Sequence, residues 1–424
     1  MEQKFLQVFY TALFAWLLVS VAATQHGDDS EDDGVVGAES FCDAEECTEK
    51  ITEIPIVTRS SHECTFGHHP RQKCTVHHVM LDKQARTFKT YKSPDSEQLY
   101  TTWNIVNIDK PFKCDRNVKH GFAFLFYYYK GQSNYFHLHY DTLIPLYSQL
   151  KDYMMEGELN SASDVLLLPS VETSRLKVID WNTAAFTYEQ DSPPIWMQML
   201  SVFGPSSLFL PLSTAVWGSE DTVWSSVEHE NVCFEQLHFG VPQVDYSDND
   251  LIKDYVLFVR HQLGLADLPL PHAPKVGIIS RKNRRRIVNE DELLHVSRNI
   301  FPTELIDYSD MTFRQQVEVT HSFTVIAGIN GAGLTNCLFL PAGAVAIQLV
   351  PFNATNLNYK QFGILLKSRG HYLEWHSSEP DSSIKPPGGG FENADTVVNS
   401  NQFVITLVEA LTLGINKNLI AGGI

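Results

Sequence analysis

The chain has 424 residues, 43% of them hydrophobic, which is enough for two or three apolar cores and makes a two-domain globular protein the prior. Its formal charge is −18. A chain this acidic repels polyanions, which argues against a nucleic-acid partner and for a well-hydrated surface.

From Phe5 to Ala23 the chain is apolar apart from Gln7, Thr11 and Ser20, and it follows a single lysine, Lys4. Residues 1–23 therefore read as a signal peptide or membrane anchor, with the small residues Val21-Ala22-Ala23 favouring cleavage. Either way the remainder faces the lumen of the secretory pathway, and a membrane enters only if that segment stays uncleaved. Residues 24–40 carry Asp28, Asp29, Glu31, Asp32 and Asp33 without aromatics, the composition of a disordered stem, and their spacing is not that of a calcium loop.

Residues 41–268 read as an N-terminal α/β domain with a cysteine-rich start. Seven cysteines occur: Cys42, Cys47, Cys64, Cys74, Cys114, Cys233 and Cys337. In a lumenal chain the crowded first five imply disulfides, though spacing does not fix the pairing, and an odd count leaves one thiol single. Cys337, in an apolar helical run, is the expected one. His62, His68, His69, His77 and His78 near Cys64 and Cys74 invite a zinc reading, but the cysteine spacing is not that of a zinc module, so pairing of cysteines is expected instead.

Strands are predicted over Thr101–Phe112 and Gly121–Tyr129, and a helix over Asn134–Leu150. Asn134 is placed to cap that helix, and His137 and Asp141 fall one turn apart on one face, with His139 on the neighbouring arc. A polar patch on an amphipathic helix is the plain alternative. Short strands and helices continue through Leu166–Leu168, Val178–Trp181 and Trp196–Phe203, then a helix over Leu251–Leu263. Asp180 and Glu189 remain alternative bases. The proline cluster Pro269–Pro274 marks a hinge, and residues 269–424 read as a second domain.

In that domain strands and helices alternate, the pattern of a doubly wound sheet whose ligands sit beyond the carboxyl ends of its strands. The strand Val276–Ser280 runs into Arg281-Lys282-Asn283-Arg284-Arg285-Arg286, five cations in six residues. At a strand end their planar forks suit a diphosphate better than nucleic acid. Thr324–Ala327 is followed by Asn330-Gly331-Ala332-Gly333 and a predicted helix over Leu334–Leu340, whose first amides would face a phosphate across small residues. The strand Val345–Val350 is apolar except for Gln348. A flexible loop is expected over Asp381–Gly390 and a final helix over Gln402–Leu413. Asn353-Ala354-Thr355 is the one glycosylation sequon, and its place near the expected cleft predicts low occupancy.

Ile278-Ile279-Ser280-Arg281, Arg285 to Glu290, Glu292-Leu293, Gln315 or Gln316, Gly328 to Asn336 and Phe339-Leu340-Pro341 resemble the catalytic signatures of glycosyltransferase family 61. The likeness extends back to Asn134-Tyr135-Phe136-His137 with Asp141, and to Val232-Cys233-Phe234-Glu235. One departure stands out: the family usually has His directly before Gly-Ala-Gly, and here that place is Asn330. The resemblance implies a GT-B-like α/β fold of two Rossmann-like domains facing a cleft. It also implies an inverting enzyme moving GlcNAc or a pentose such as xylose from a UDP-sugar to a glycoprotein or polysaccharide in the Golgi or endoplasmic reticulum. The expected donor contacts are Arg281 and Arg286 on the diphosphate, Asn330 and the amides of Gly331, Ala332, Gly333 and Leu334 around it, and Gln348 on a ribose or sugar hydroxyl. His137 and Asp141 are the expected catalytic base. No cofactor and no metal are expected, since cations and a helix end can stabilise the leaving group. An inactive relative that binds a glycan or nucleotide sugar is the alternative, motivated by Asn330.

Overall fold

The computed structural model describes residues 59–65, 73–82, 85, 87–92, 105–125, 134–155, 165–171, 176–180, 185–188, 195–204, 212–213, 231–354, 360–367 and 369–421. The leader expected over residues 1–23, the stem over 24–40, and Cys42, Cys47, His68, His69 and Glu189 lie outside them.

The first half contributes β1 (Ser61–Thr65), β2 (Lys73–Asp82), β3 (Thr87–Tyr91), β4 (Ile105–Ile108), β5 (Arg116–Leu125), β6 (Val165–Val171), β7 (Leu176–Asp180), β8 (Ala185–Tyr188), β9 (Leu212–Ser213) and β10 (Asn231–Phe239). Strands β7 and β8 pair with each other; the rest form one sheet in the order β4-β3-β2-β10-β5-β6-β9, with β1 against β2. The sheet is mixed, because β10 runs antiparallel to β2 and parallel to β5. Cys64 and Cys74 face each other across β1 and β2 and form a disulfide, which removes both sulfurs from any zinc site. A second disulfide joins Cys114 to Cys233, and Cys337 is a buried free thiol as expected.

The predicted helix after Asn134 forms with an interruption. Helix α1 runs through Tyr135–His137, a π segment Leu138–Leu143, and Ile144–Met155. Asn134 caps it, its side chain accepting from the Phe136 N–H at 3.1 Å. Pro145 explains the π turn: it has no N–H to give Asp141, and its ring crowds that carbonyl, so the helix widens and the Ile144 N–H bonds to the His139 carbonyl instead. Helix α2 (Ile195–Leu200) and helix α3 (Asn249–Gln262), the latter capped by Asp248, complete this half.

The second half alternates as the sequence predicts: β11 (Val276–Ile279), α4 (Glu290–Arg298), β12 (Thr303–Ile306), α5 (Phe313–His321), β13 (Val325–Ile329), a 3-10 helix Ala332–Phe339, β14 (Val345–Val350), α6 (Lys360–Leu366) and β15 (His371–His376). All neighbouring strands are parallel, in the order β12-β11-β13-β14-β15. Every residue of β11, β13 and β14 is buried, which is why these runs are apolar without alternation. Within the stretch expected as a loop, β16 (Ser383–Ile384) instead pairs antiparallel with β17 (Asp395–Thr396). Helix α7 (Ser400–Ala421) closes the chain.

One apolar cluster joins the inward sides of both sheets, running from Phe122 and Leu167 through Tyr147 and Tyr255 to Ile279, Ile326 and Leu338. On the other face of the parallel sheet, Leu293 of α4 and Phe403 and Leu407 of α7 cover Ile278, Ala327 and Ile347. No helix among the described residues is long and apolar enough to cross a membrane.

Candidate functional site

In the parallel sheet the chain leaves β11 toward β12 on one side and β13 toward β14 on the other. Between the carboxyl ends of β11 and β13 the connections part, and such a switch point leaves a crevice where ligands of doubly wound sheets bind. A cleft of about 800 Å³ opens there. Ser280, Arg281 and Lys282 after β11, Tyr308 and Asp310 after β12, and Ala332 and Gly333 after β13 line it, with Tyr135 and Gln198 reaching in from the first half.

Arg281 lies over the glycine turn. A Cβ on Gly331 would sit 1.8 Å from Arg281 Nη1, so glycine is what lets the guanidinium cross the turn closely. Burial, with the like charge of Arg284, holds the Arg281 guanidinium below its ordinary pKa, against the pull of Asp395. The Asn330 carbonyl accepts from Arg285 Nη1 at 3.0 Å and from Arg281 Nη1 at 3.5 Å. Arg286 is committed elsewhere: its Nε and Nη2 fork onto Asp395 Oδ2 at 2.9 and 2.7 Å, on the exposed surface. Of the arginines named from sequence, then, Arg281 is at the cleft and Arg286 is not, and Arg285 takes the place beside the turn. Arg285 does so with a left-handed backbone, φ 53°, which no sequence pattern announces.

The helix after the turn differs from expectation in being 3-10. The Leu334 N–H bonds the Gly331 carbonyl at 3.0 Å, three residues back, so that amide is already spent and the Leu334 side chain is buried. Ala332 and Gly333 remain as the first-turn amides at the cleft. Gln348 is fully buried in β14 and bonds to Tyr372 at 2.5 Å, away from the residues lining the cleft. Asn353 of the sequon is exposed in the turn after β14 and does not line the cleft, while Thr355 lies outside the described residues.

His137 and Asp141 pair as the helical spacing predicts, with Nδ1 2.6 Å from Asp141 Oδ2. The side chain of Asp141 is 5% exposed and that of His137 30%, so the carboxylate is the inner member and the imidazole the outer. With Nδ1–H donated to the carboxylate, Nε2 is the basic nitrogen. The pair does not line the cleft; it follows Tyr135 on the same helix. His139 is a core residue: burial pushes its pKa down to about 3, and its Nδ1 meets the Tyr255 hydroxyl at 2.8 Å.

Sequence reasoning missed a polar chain through the cleft wall. Tyr135 donates to Asn336 Oδ1 at 2.9 Å, Asn336 Nδ2 donates to Gln316 Oε1 at 3.1 Å, and Gln316 Nε2 donates to the Tyr308 and Met311 carbonyls. Asn336 is a buried amide that with Thr335 interrupts an apolar run, and a buried amide needs a partner to satisfy it. At the rim, Lys282 bridges Asp307 at 2.7 Å and Asp310 at 3.6 Å. Burial raises the Asp307 carboxyl, but hydrogen bonds from Lys282 and Ser309 outweigh it and hold its pKa at about 2.

The family profile of Glycosyltransferase 61 matches residues 135–347, from Tyr135 to the strand that carries Gln348, which is half of the chain. The chain belongs to this family. It is 28% identical over 195 residues to the EGF domain-specific O-linked N-acetylglucosamine transferase of Drosophila melanogaster, covering 40% of this chain and 36% of that one. To the Xenopus laevis protein of the same name it is 29% identical over 205 residues, 44% and 38% of the two. It is 23% identical over 273 residues, 62% and 44% of the two, to protein O-linked-mannose beta-1,4-N-acetylglucosaminyltransferase 2 of Xenopus tropicalis. The chain thus spans less than half the length of each of these relatives. The matched part of the family 61 chain holds both the His137–Asp141 pair and the switch-point cleft.

Proposed function

We propose that this family 61 chain is an inverting glycosyltransferase that moves GlcNAc, or a pentose such as xylose, from a UDP-sugar to a glycoprotein or polysaccharide in the secretory lumen. The observation that carries the reading is Arg281 lying across the Gly331 turn at the switch point. There a diphosphate meets a guanidinium and the first amides of a helix together. The nucleoside occupies the cleft beside Tyr308, and residues 41–268 and 269–424 act as acceptor-side and donor-side halves of a GT-B-like enzyme.

In this reading His137 Nε2 takes the proton of an acceptor hydroxyl while Asp141 orients the ring and balances its charge. The acceptor oxygen bonds to the anomeric carbon from the face opposite the leaving group. The bond from that carbon to the diphosphate breaks, and the configuration inverts. Arg281, Arg285 and the turn amides stabilise the charge gathering on the departing UDP, which is the work a metal would otherwise do.

Arg281→Ala should weaken UDP binding by about 1.5–3 kcal/mol, the range for hydrogen bonds to a charged group, while the thermal transition stays in place. Calorimetry with UDP tests this, and an unchanged affinity would remove the site. The alternative of an inactive relative rests on Asn330 at the family's histidine position. Hydrolysis of a UDP-sugar by the parent separates the two.

A further inference from the structure

Beyond the glycine turn, on the side away from β12, β14 and β15 end in polar groups that the cleft does not use. Gln348 of β14 is in register with Gly328 of β13 and with Glu374 of β15, so the three share one row across the sheet, and the Ile279 side chain fills the space over Gly328. Tyr372 OH lies 2.5 Å from Gln348 Oε1 and 2.9 Å from Glu374 Oε1, and Glu374 Oε2 lies 2.8 Å from His376 Nε2.

The amide of Gln348 is the unsatisfied member of this cluster. A phenol has one proton, so Tyr372 cannot donate to both the amide oxygen and the carboxylate; with the Gln348 amide turned end for end, Nε2 donates to the phenol and the phenol donates to Glu374. In the orientation that places Oε1 on the phenol, Nε2 is the heteroatom buried with no partner among the described residues. A fully buried amide with an unmet bond is costly unless something completes it. Outward from it, Glu374 and His376 keep 30% and 60% of their side chains exposed, so the chain of contacts runs from the sheet interior to solvent.

We infer that Tyr372, Glu374 and His376 form a subsite for a vicinal pair of uncharged hydroxyls, with Gln348 holding the phenol from behind as a positioning residue. This deepens the transferase reading and rests on it. A nucleotide sugar is linear: with the nucleoside on the β12 side of the turn and the diphosphate on the turn, the sugar falls on the side where β14 and β15 end. A carboxylate there accepts from two adjacent hydroxyls, and the phenol and imidazole discriminate which way each points. Glu374 is then the residue that determines which sugar is carried.

The test compares affinities of the full chain for UDP, UDP-GlcNAc and UDP-xylose by calorimetry, in the parent and in Glu374→Gln and Tyr372→Phe. Glu374 is exposed, so its substitution leaves folding intact, and Tyr372→Phe is checked by its thermal transition. UDP affinity is expected to stay within twofold in Glu374→Gln, while affinity for the preferred UDP-sugar falls about tenfold and the preference between the two sugars shrinks. Parallel loss for UDP and the UDP-sugars, or no loss for either, overturns the subsite while leaving the donor site standing. Failure of the parent to bind UDP at all overturns the transferase reading and the subsite with it.

Discussion

At the scale of single residues, the departure at Asn330 turns on which of its atoms meets the cations. Its backbone carbonyl, which any residue supplies, is what Arg285 and Arg281 hold. The side chain is thus available to hydrogen-bond a donor phosphate, and an amide offers both donors and an acceptor for that. If the family histidine acts only as such a partner, Asn330 replaces it; if it acts as a charge or proton carrier, this chain is slow. With two guanidinium groups and a helix start already at the turn, one further partial charge adds about 1 kcal/mol. Asn330→His should therefore transfer sugar at a rate within about tenfold of the parent from about pH 5.5 to 8, where an imidazole changes charge. A gain of about a hundredfold or more confined to the histidine variant, the scale of a lost acid–base group, would support the inactive reading instead.

At the scale of elements, the parallel strands were legible because burial on both faces leaves an apolar run between turn residues, and Val276–Ile279, Val325–Ile329 and Val345–Val350 are such runs. Helix starts were legible where a side chain answers the first amides. Asn134, read as a cap from the sequence, caps α1, whereas the reciprocal box that Thr312 forms with Gln315 at α5 was not read. Asn134→Ala should accordingly lower stability by about 0.5–2 kcal/mol, read as a shift in urea midpoint at constant slope, and an unmoved midpoint would show that the cap contributes nothing. What periodicity could not give was the pitch of each turn. The π segment around Asp141 and the 3-10 helix after Gly331 keep helical spacing at low resolution, yet they decide which amides are spent. Nor could it choose Arg285 over Arg286, since adjacent side chains in an irregular segment are parted only by the left-handed turn between them and by Asp395, more than a hundred residues on. The pairing of β2 with β10 is likewise a contact between segments that the chain separates widely.

At the scale of the whole molecule, buried histidines couple the fold to pH. His139 sits fully buried among Tyr135, Tyr255, Phe313 and Phe339, and burial brings its pKa down to about 3. His238 is brought to about 3 by burial first, then by the nearby charges of Lys73, His120 and His77. Both folded values lie below the roughly 6.5 of an unfolded histidine, so between about pH 6.5 and 3 the unfolded chain binds protons that the folded chain refuses. Stability is then fully present above that window and falls as pH drops through it, by as much as about 1.4 kcal/mol per pH unit for each histidine. Carboxylates reinforce the trend only lower down: Asp307, held at about 2, keeps its contribution until the pH falls below the ordinary carboxylate range. The urea midpoint should therefore decline steadily from pH 6.5 to 4.5, before carboxylates titrate. In His139→Phe, which keeps an aromatic ring in the same apolar pocket, the decline should be shallower by about one proton, whatever the variant's absolute stability. A midpoint that is flat across this range in the parent, or an equal slope in both proteins, would mean that the buried imidazoles titrate in the folded state and that the core admits charge.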